Sequence, residues 1–170
     1  DLYHPCQALA DMQTIAEKKG GLKGVKLCYI GDGNNVCNSL INAANLLGVE
    51  MILSCPEAYK ADEKLLNGSY TFIEDPKEAA KDVDVIYTDV WTSMGSEKEE
   101  AQRLKDFSNY QVNSSIIELA KKDVTFLHCL PARRGEEVSE DVLEGPHSAI
   151  FDQAENRLHA QKALLVKLLG

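Results

Sequence analysis

Three short polar segments of the sequence carry the side chains best suited to binding chemistry. They are Gly31-Asp32-Gly33-Asn34-Asn35, residues 89–95 and residues 128–134. A carboxylate such as Asp89, placed directly after an apolar run, suits a substrate ammonium group, whereas turn N–H groups suit a substrate carboxylate. The amides of Asn34 and Asn35 can hold an amino group and a carboxylate together. These residue types therefore suit a small ligand that carries both groups.

Each segment also has a structural interpretation that needs no ligand. The loop at residues 31–35 is compatible with an Asx-type turn. Ser96 followed by Glu99 matches the capping-box pattern, so residues 89–95 are also compatible with a loop that leads into a helix cap. His128 is compatible with a hydrogen-bonded histidine of the core. The sequence leaves both interpretations of each segment open.

The His128-Cys129-Leu130-Pro131 run raises two further possibilities, a Cys–His nucleophile and a metal site. Successive side chains of a strand point to opposite faces, so we expect at most one of His128 and Cys129 to face a ligand, and no dyad. His4 and Cys6 could supply two more zinc ligands, but the spacing of the four residues is not that of a usual zinc site. We therefore predict neither a metal nor a cofactor.

A His4-Pro5-x-Gln7 motif opens the first predicted helix. It places an imidazole beside the helix N-terminus and an amide one turn further along. Both groups can then reach a carbonyl compound that is neutral or anionic. A capped surface helix is the alternative interpretation of this motif.

The elements that must position these groups alternate between strand and helix. Apolar runs that end in polar turns predict strands, and apolar residues at helical spacing predict helices. The predicted strands cover residues 25–30, 49–54, 70–73, 83–88, 124–128 and 149–151, and the predicted helices cover residues 5–18, 36–47, 61–66, 76–81, 97–107 and 154–169. This order predicts an α/β fold class, a three-layer Rossmann-like domain with a central parallel sheet and helices on both faces. Ligands of such sheets bind beyond the carboxyl ends of the strands, where the three polar segments lie.

Composition narrows the possible partners. A chain of 170 residues, 44% of them apolar, can bury the core of one domain, and a net charge of −9 disfavours nucleic acid and anionic membranes as partners. No apolar run approaches the roughly 20 residues of a membrane helix, and no signal peptide is evident. Five cysteines without a CxxC pair favour a reducing, cytoplasmic location. Few arginines are available to grip an anionic substrate, namely Arg103, Arg133, Arg134 and Arg157.

The Gly31-Asp32-Gly33 sequence does not meet the requirements of a dinucleotide fingerprint. Val36 occupies the place of the third glycine, and the second predicted strand ends at Ser54-Cys55 without the expected acidic residue. An NAD-type oxidoreductase is therefore a disfavoured hypothesis.

Taken in order, five motifs resemble the ornithine carbamoyltransferases of the aspartate/ornithine carbamoyltransferase family. They are His4-Pro5-Cys6-Gln7-Ala8-Leu9-Ala10-Asp11, Gly31-Asp32-Gly33-Asn34-Asn35, Asp89 through Ser93-Met94-Gly95, His128-Cys129-Leu130-Pro131 and Glu155-Asn156-Arg157. The resemblance covers essentially the whole chain and is to the C-terminal, ornithine-binding domain. Ser93-Met94-Gly95 resembles the ornithine loop and not the equivalent region of aspartate or putrescine carbamoyltransferases.

The resemblance implies transfer of a carbamoyl group from carbamoyl phosphate to the side-chain amine of L-ornithine, which gives citrulline and phosphate without metal or cofactor. It implies catalytic roles for His4, Asp89 and Cys129. It also implies two sets of binding residues: His4, Gln7, Cys129, Leu130 and Arg157 for carbamoyl phosphate, and Asn35, Asp89, Ser93 and Met94 for ornithine.

The same resemblance implies a partner domain that this sequence lacks. The family grips phosphate with a Ser-x-Arg-Thr-Arg loop in an N-terminal domain, and no such run occurs here. We therefore expect an interdomain helix at residues 1–20, an ornithine-binding domain at 21–153 and a C-terminal helix at 154–170 that packs on the N-terminal domain. We expect the isolated chain to be inactive, to bind carbamoyl phosphate poorly and to associate through uncovered helices, and the whole enzyme to be a homo-oligomer, as in the family's trimers. The alternative is a non-catalytic amino-acid-binding module of the same fold.

Overall fold

A computed structural model describes residues 2–92 and 99–170 of the chain. Their strands form one parallel sheet in the order β3-β2-β1-β4-β5. The strands are β1 (Lys26–Ile30), β2 (Glu50–Ser54), β3 (Thr71–Phe72), β4 (Val85–Thr88) and β5 (Thr125–His128). The central strand β1 pairs with β2 on one side and with β4 on the other. The sheet therefore grows first in one direction and then in the other, and the switch point lies between β1 and β4. The predicted α/β fold class is confirmed.

Helices precede, connect and follow the strands. They are α1 (Pro5–Lys19), α2 (Asn35–Leu47), α3 (Pro76–Ala79), α4 (Glu100–Asp106), α5 (Ser114–Ile117), α6 (Glu140–Leu143) and α7 (Ile150–Leu169). Helix α1 packs against both α2 and α7, while α2 contacts β2 and α7 contacts β5. The N-terminal and C-terminal helices of the described chain are thereby held together beside the sheet. None of the described helices is both long and apolar enough to cross a membrane.

The core is built from the apolar runs that predicted the strands. All side chains of β4 and β5 are buried, as expected for parallel strands covered on both faces. Helix α2 buries Val36, Leu40 and Ala44 at four-residue spacing, so one face of the helix packs on the sheet. It ends at Gly48, whose φ of 75° is the left-handed conformation that favours glycine at a helix C-terminus.

The predicted strand at residues 149–151 is wrong. Only a bridge forms there: the Phe126 N–H donates to the His147 carbonyl, and the Ala149 N–H donates to the Phe126 carbonyl. Helix α7 then begins at Ile150, which is buried, whereas Phe151 is 70% exposed. The short apolar run is the first turn of an amphipathic helix, and such runs fit both structures.

Other differences concern short elements. The helix predicted at residues 61–66 is only a 3₁₀ turn over Glu63–Leu65, because the Asp62 carboxylate caps the Lys64 N–H in a tight local turn. A further 3₁₀ turn, Glu57–Tyr59, and the one-turn helices α5 and α6 were not predicted. The start of the helix predicted at 97–107, with Ser96 of the capping box, lies outside the described residues.

Candidate active site

The three predicted polar segments meet beyond the carboxyl ends of β1, β4 and β5, with Asp89 between the other two. Asn34 Nδ2 donates to Asp89 Oδ2 over 2.8 Å, and the Cys129 thiol donates to Asp89 Oδ1 over 3.0 Å. The Val90 N–H also donates to Oδ1. Asp89 is only 7% exposed, and these donors fix both of its oxygens at the switch point of the sheet. The arrangement presents a fixed negative charge where a ligand is expected.

Cys129 is held as a thiol beside this carboxylate. Burial raises its pKa well above the ordinary value, and the charge of Asp89 and the hydrogen bond to it raise it further. A thiol that donates to a carboxylate is not poised as a nucleophile, because the thiolate is the reactive form. Cys129 therefore acts as a hydrogen-bond donor that orients Asp89.

In the loop after β1, Asn34 and Asn35 make different contacts. Asn34 Oδ1 accepts from the backbone N–H groups of Val36 and Cys37 and so caps α2, while its amide nitrogen reaches Asp89. The structural interpretation of this loop as an Asx cap is thus correct for Asn34. Asn35, the residue expected to bind ornithine, is only half-buried, and among the described residues its side-chain oxygen accepts only from the adjacent Val36 N–H. Its amide nitrogen makes no hydrogen bond within the described chain.

Gly33 allows this loop to sit against the next one. Its N–H donates to the Tyr59 carbonyl over 2.8 Å, and a Cβ at this position would lie 2.3 Å from the Ala61 nitrogen. Arg103 of α4 links the loop after β1 to the segment after β4, because it donates to Asp32 Oδ2 over 2.7 Å and to the Trp91 carbonyl over 3.0 Å. Ser93 and Met94, the other predicted ornithine-binding residues, lie outside the described residues.

His4 precedes the N-terminus of α1 at the edge of the site. Its N–H donates to Ser39 Oγ over 2.7 Å, and its carbonyl accepts from the N–H groups of the first helical turn. Burial lowers the pKa of the imidazole, and the positive charge of Arg157 lowers it further against a smaller opposing effect of Asp89. His4 is therefore a neutral imidazole near pH 7.

Gln7 and Arg157 lie together on facing sides of α1 and α7. Arg157 Nη1 donates to Gln7 Oε1 over 2.6 Å, and Gln7 Nε2 donates to Asp11 Oδ1 over 2.8 Å. The other three arginines pair with carboxylates, Arg103 with Asp32, Arg133 with Glu100 and Arg134 with Glu144. Within the described chain Arg157 bonds only to amides, so its charge is available to an anion.

The sequence assigned no role to Asp11, yet this residue contacts the predicted site residue Gln7. Its carboxylate is fully buried and accepts from Gln7, from Gln153 Nε2 over 2.6 Å and from the Tyr87 hydroxyl over 3.2 Å. Gln153 Oε1 in turn accepts from the His128 N–H. The only sequence signal was the four-residue spacing of Gln7 and Asp11, which places both on one face of α1.

His128 is a fully bonded core histidine. Its Nδ1 accepts from the Leu130 N–H over 2.9 Å, so Nε2 carries the proton and donates to Glu137 Oε1 over 3.0 Å. Glu137 also accepts from the Arg133 N–H over 2.6 Å and had not been singled out. Candidate ligand atoms of Asp89, His128 and Cys129 lie within 4.8 Å of one another, but both ring nitrogens of His128 already form hydrogen bonds. The trio is therefore a poor cation site, and His128 and Cys129 form no dyad.

The fold and the site define a parallel α/β domain with a buried carboxylate and polar side chains at its switch point, an arrangement that suits a small polar ligand. Residues 23–168 match the family described as "Aspartate/ornithine carbamoyltransferase, Asp/Orn binding domain". The chain belongs to this family.

Individual relatives agree with the family. Over its whole length the chain is 56% identical to the ornithine carbamoyltransferase of Archaeoglobus fulgidus, of which it covers 57%. It is similar to the solved structure of the Pyrococcus furiosus ornithine carbamoyltransferase, with a TM-score of 0.92 and 53% identity over 98% of this chain and 56% of that one. The Thermus thermophilus enzyme gives a TM-score of 0.92 and 47% identity over 100% of this chain and 57% of that one. The chain thus spans little more than half the length of the relatives it matches.

Proposed function

We propose that this chain is the ornithine-binding part of an ornithine carbamoyltransferase. The side-chain amine of L-ornithine attacks the carbonyl carbon of carbamoyl phosphate, the bond from that carbon to the phosphate oxygen breaks, and the amine loses a proton. The products are citrulline and phosphate. The observation that carries this proposal is the buried Asp89 carboxylate, held by Asn34 and Cys129 at the switch point of a domain from this family.

Ornithine is assigned to the side of the site around Asp89. A fixed, buried carboxylate suits an ammonium group of the substrate. Asn35, with a free amide nitrogen among the described residues, is assigned to the substrate carboxylate together with Ser93 and Met94. The attacking amine must be neutral, and the low polarity that keeps the Cys129 thiol protonated also favours loss of a proton from an amine held beside it.

Carbamoyl phosphate is assigned to the side of the site around His4. A neutral imidazole can donate a hydrogen bond to the carbamoyl oxygen, where negative charge grows in the tetrahedral transition state. Arg157 supplies a positive charge that no carboxylate neutralises in the described chain, and Gln7 lies beside it. The Leu130 N–H is occupied by His128, so its carbonyl is the group assigned to the carbamoyl amino group, next to Cys129.

A second domain is part of this proposal. Phe151, Leu158 and Leu165 follow one another at seven-residue spacing on α7 and are each more than half exposed, although they are large and apolar. An N-terminal carbamoyl-phosphate domain that packs on residues 154–170 covers the exposed apolar side chains of α7. The same domain supplies the phosphate-binding arginines. We propose that residues 1–20 form an interdomain helix, residues 21–153 the ornithine-binding domain and residues 154–170 the helix that packs on the N-terminal domain. The whole enzyme is proposed to be a trimeric or larger homo-oligomer in the cytoplasm that acts in arginine metabolism.

Ligand titration of the chain separates ornithine binding from the binding of L-aspartate or NAD. We expect L-ornithine, followed by chemical shifts of the backbone amides, to perturb the segments after β1, β4 and β5, and L-aspartate and NAD to leave them unchanged. Asp89→Asn is the matched control and should lose the response to ornithine. Perturbation by NAD, or a response to ornithine that survives in Asp89→Asn, would contradict the assignment.

A further inference from the structure

The buried Asp11 carboxylate lies where α1, β4 and α7 meet, below the proposed carbamoyl-phosphate side of the site. Two amides donate to the same oxygen, Gln7 Nε2 over 2.8 Å and Gln153 Nε2 over 2.6 Å. The Tyr87 hydroxyl donates to the other oxygen over 3.2 Å. Asp11 is 0% exposed, so no bulk water completes its shell. Asp11 is not proposed to contact either substrate, so it can act on the site only through Gln7, Gln153 and Tyr87.

The chemistry of a carboxylate fixes which way each amide points. Above its pKa of about 7, Asp11 is an ionised carboxylate that only accepts hydrogen bonds, whereas a carboxamide has a donor end and an acceptor end of similar shape. Gln7 must turn its NH₂ group to Asp11, which directs its carbonyl oxygen to Arg157. Gln153 must do the same, which directs its carbonyl oxygen to the His128 N–H at the end of β5.

We infer that Asp11 is a positioning residue that sets the orientation of the Gln7 and Gln153 amides, and through them the carbamoyl-phosphate side of the site. The inference rests on the proposed function. Gln7 is itself a proposed binding residue, and Gln153 anchors the backbone that leads into Cys129 and Leu130. With Asp11 in place, both amides have one orientation before the substrate arrives. Pre-orientation of this kind removes a cost from binding.

A purely structural role does not require a carboxylate here. Burying an ionised group is costly, and apolar side chains of similar volume often hold two helices together equally well. Asn156 already links the same two helices without a buried charge, because its amide nitrogen donates to Thr14 Oγ1 over 3.0 Å and to the exposed Glu17 carboxylate over 2.9 Å. The feature particular to Asp11 is that it offers only acceptors to two amides at once.

The first test uses the whole enzyme, with this chain joined to the N-terminal domain of the Archaeoglobus fulgidus relative. At pH 8, where Asp11 is ionised, we expect Asp11→Asn to raise KM for carbamoyl phosphate at least tenfold and to change KM for ornithine less than twofold. In a background that carries both Gln7→Ala and Gln153→Ala, Asp11→Asn should add little, because both paths are already lost. Thr14→Val, which disturbs the same helix pair one turn away, is the matched control and should leave both KM values unchanged. Equal changes in both KM values, or additive effects, would overturn the inference.

A second measurement does not depend on catalysis or on a foldable variant. In the wild-type chain, NMR couplings across hydrogen bonds should connect Gln7 Nε2 and Gln153 Nε2 to Asp11 Cγ. Absence of both couplings would refute the orientation of the amides. If the couplings are present and the joined enzyme makes no citrulline, the proposed function fails while the amide orientation stands.

Discussion

The Cys129 thiol and the Asp89 carboxylate are joined by a hydrogen bond of 3.0 Å in which the sulfur donates. These residues are 40 positions apart and follow different strands, β5 and β4. The bond makes Cys129 an orienting group for the charge proposed to hold ornithine. Because of this bond, the pKa of the Cys129 thiol also depends on the charge of Asp89.

The first prediction concerns the reactivity of Cys129. Burial is the largest cause of the raised pKa of the Cys129 thiol, and the negative charge of Asp89 is the next largest. We expect Asp89→Asn to lower that pKa and to accelerate alkylation of Cys129 by iodoacetamide at pH 8 several-fold, because the thiolate is the reactive form. Peptide mass spectrometry against time measures the rate, and the buried Cys28 serves as the internal control for unfolding. An unchanged rate at Cys129 would mean that Asp89 does not govern the thiol.

The second prediction concerns stability against pH. Burial raises the pKa of Asp11 to about 7 from an ordinary 3.8, although Gln7, Gln153, Tyr87 and Arg157 all oppose the rise. Between pH 4 and 7 the folded state holds the proton and the unfolded state does not, so the contribution of Asp11 to the free energy of unfolding is largest at low pH and is lost as pH rises to 7. The loss is about 4 kcal/mol.

Urea unfolding of the wild type and of Asp11→Asn, at intervals from pH 4 to 8, measures this contribution as a difference. The other charged or titratable groups near Asp11, namely His4, Tyr87, Asp89, Cys129 and Arg157, are common to both proteins. We expect the stability advantage of the wild type over the variant to shrink as pH rises to about 7 and to stay constant above it. Two parallel curves would show that Asp11 titrates normally.

The third prediction concerns the buried Glu137. Glu137→Leu leaves the His128 Nε2–H and the Arg133 N–H without an acceptor. We expect it to lower the free energy of unfolding by about 3 kcal/mol. Glu137→Gln keeps an oxygen for both donors and should cost less than about 1 kcal/mol. Equal losses in the two variants, measured by urea unfolding, would refute the role of the shared oxygen.

The fourth prediction concerns Gly33. A methyl group there meets the Ala61 nitrogen and the Tyr59 carbonyl at 2.3 and 2.7 Å, so Gly33→Ala should displace the loop and cost about 2 kcal/mol. Ornithine binding should weaken with it, because Asn34 moves with the loop. Gly135→Ala, with open space around it and a φ of 86°, is the control for backbone strain alone. If Gly33→Ala leaves ornithine binding intact, the loop does not position the site.

Much of the fold followed from local patterns, because apolar period and capping residues act over a few positions. The apolar pattern at residues 36–47, closed by Gly48, predicted α2 to within one residue. The segment at 149–151 failed because three apolar residues fit a strand and a helix turn equally well, and packing of Ile150 decides between them.

The sequence predicted where the site lies, but not which side chains form hydrogen bonds with one another there. Polar residues after three strands predicted the convergence at Asp89, since parallel strands end at one edge of the sheet. The bond between Gln153 and Asp11 spans 142 positions, and Glu137 meets His128 only after the chain has turned back. Such contacts depend on how α1, α7 and the sheet pack, which no local pattern encodes. For the same reason the sequence did not predict that Asn34 contacts Asp89.

Citrulline formation tests the central claim most directly. The chain is joined to the N-terminal domain of the Archaeoglobus fulgidus relative and incubated with carbamoyl phosphate and L-ornithine, beside the chain alone and the joined Asp89→Asn variant. We predict citrulline and phosphate in equal amounts from the joined protein, none from the chain alone, and at least a hundredfold lower rate from the variant. Binding of ornithine without citrulline from the joined protein would contradict the account and favour a non-catalytic amino-acid-binding module.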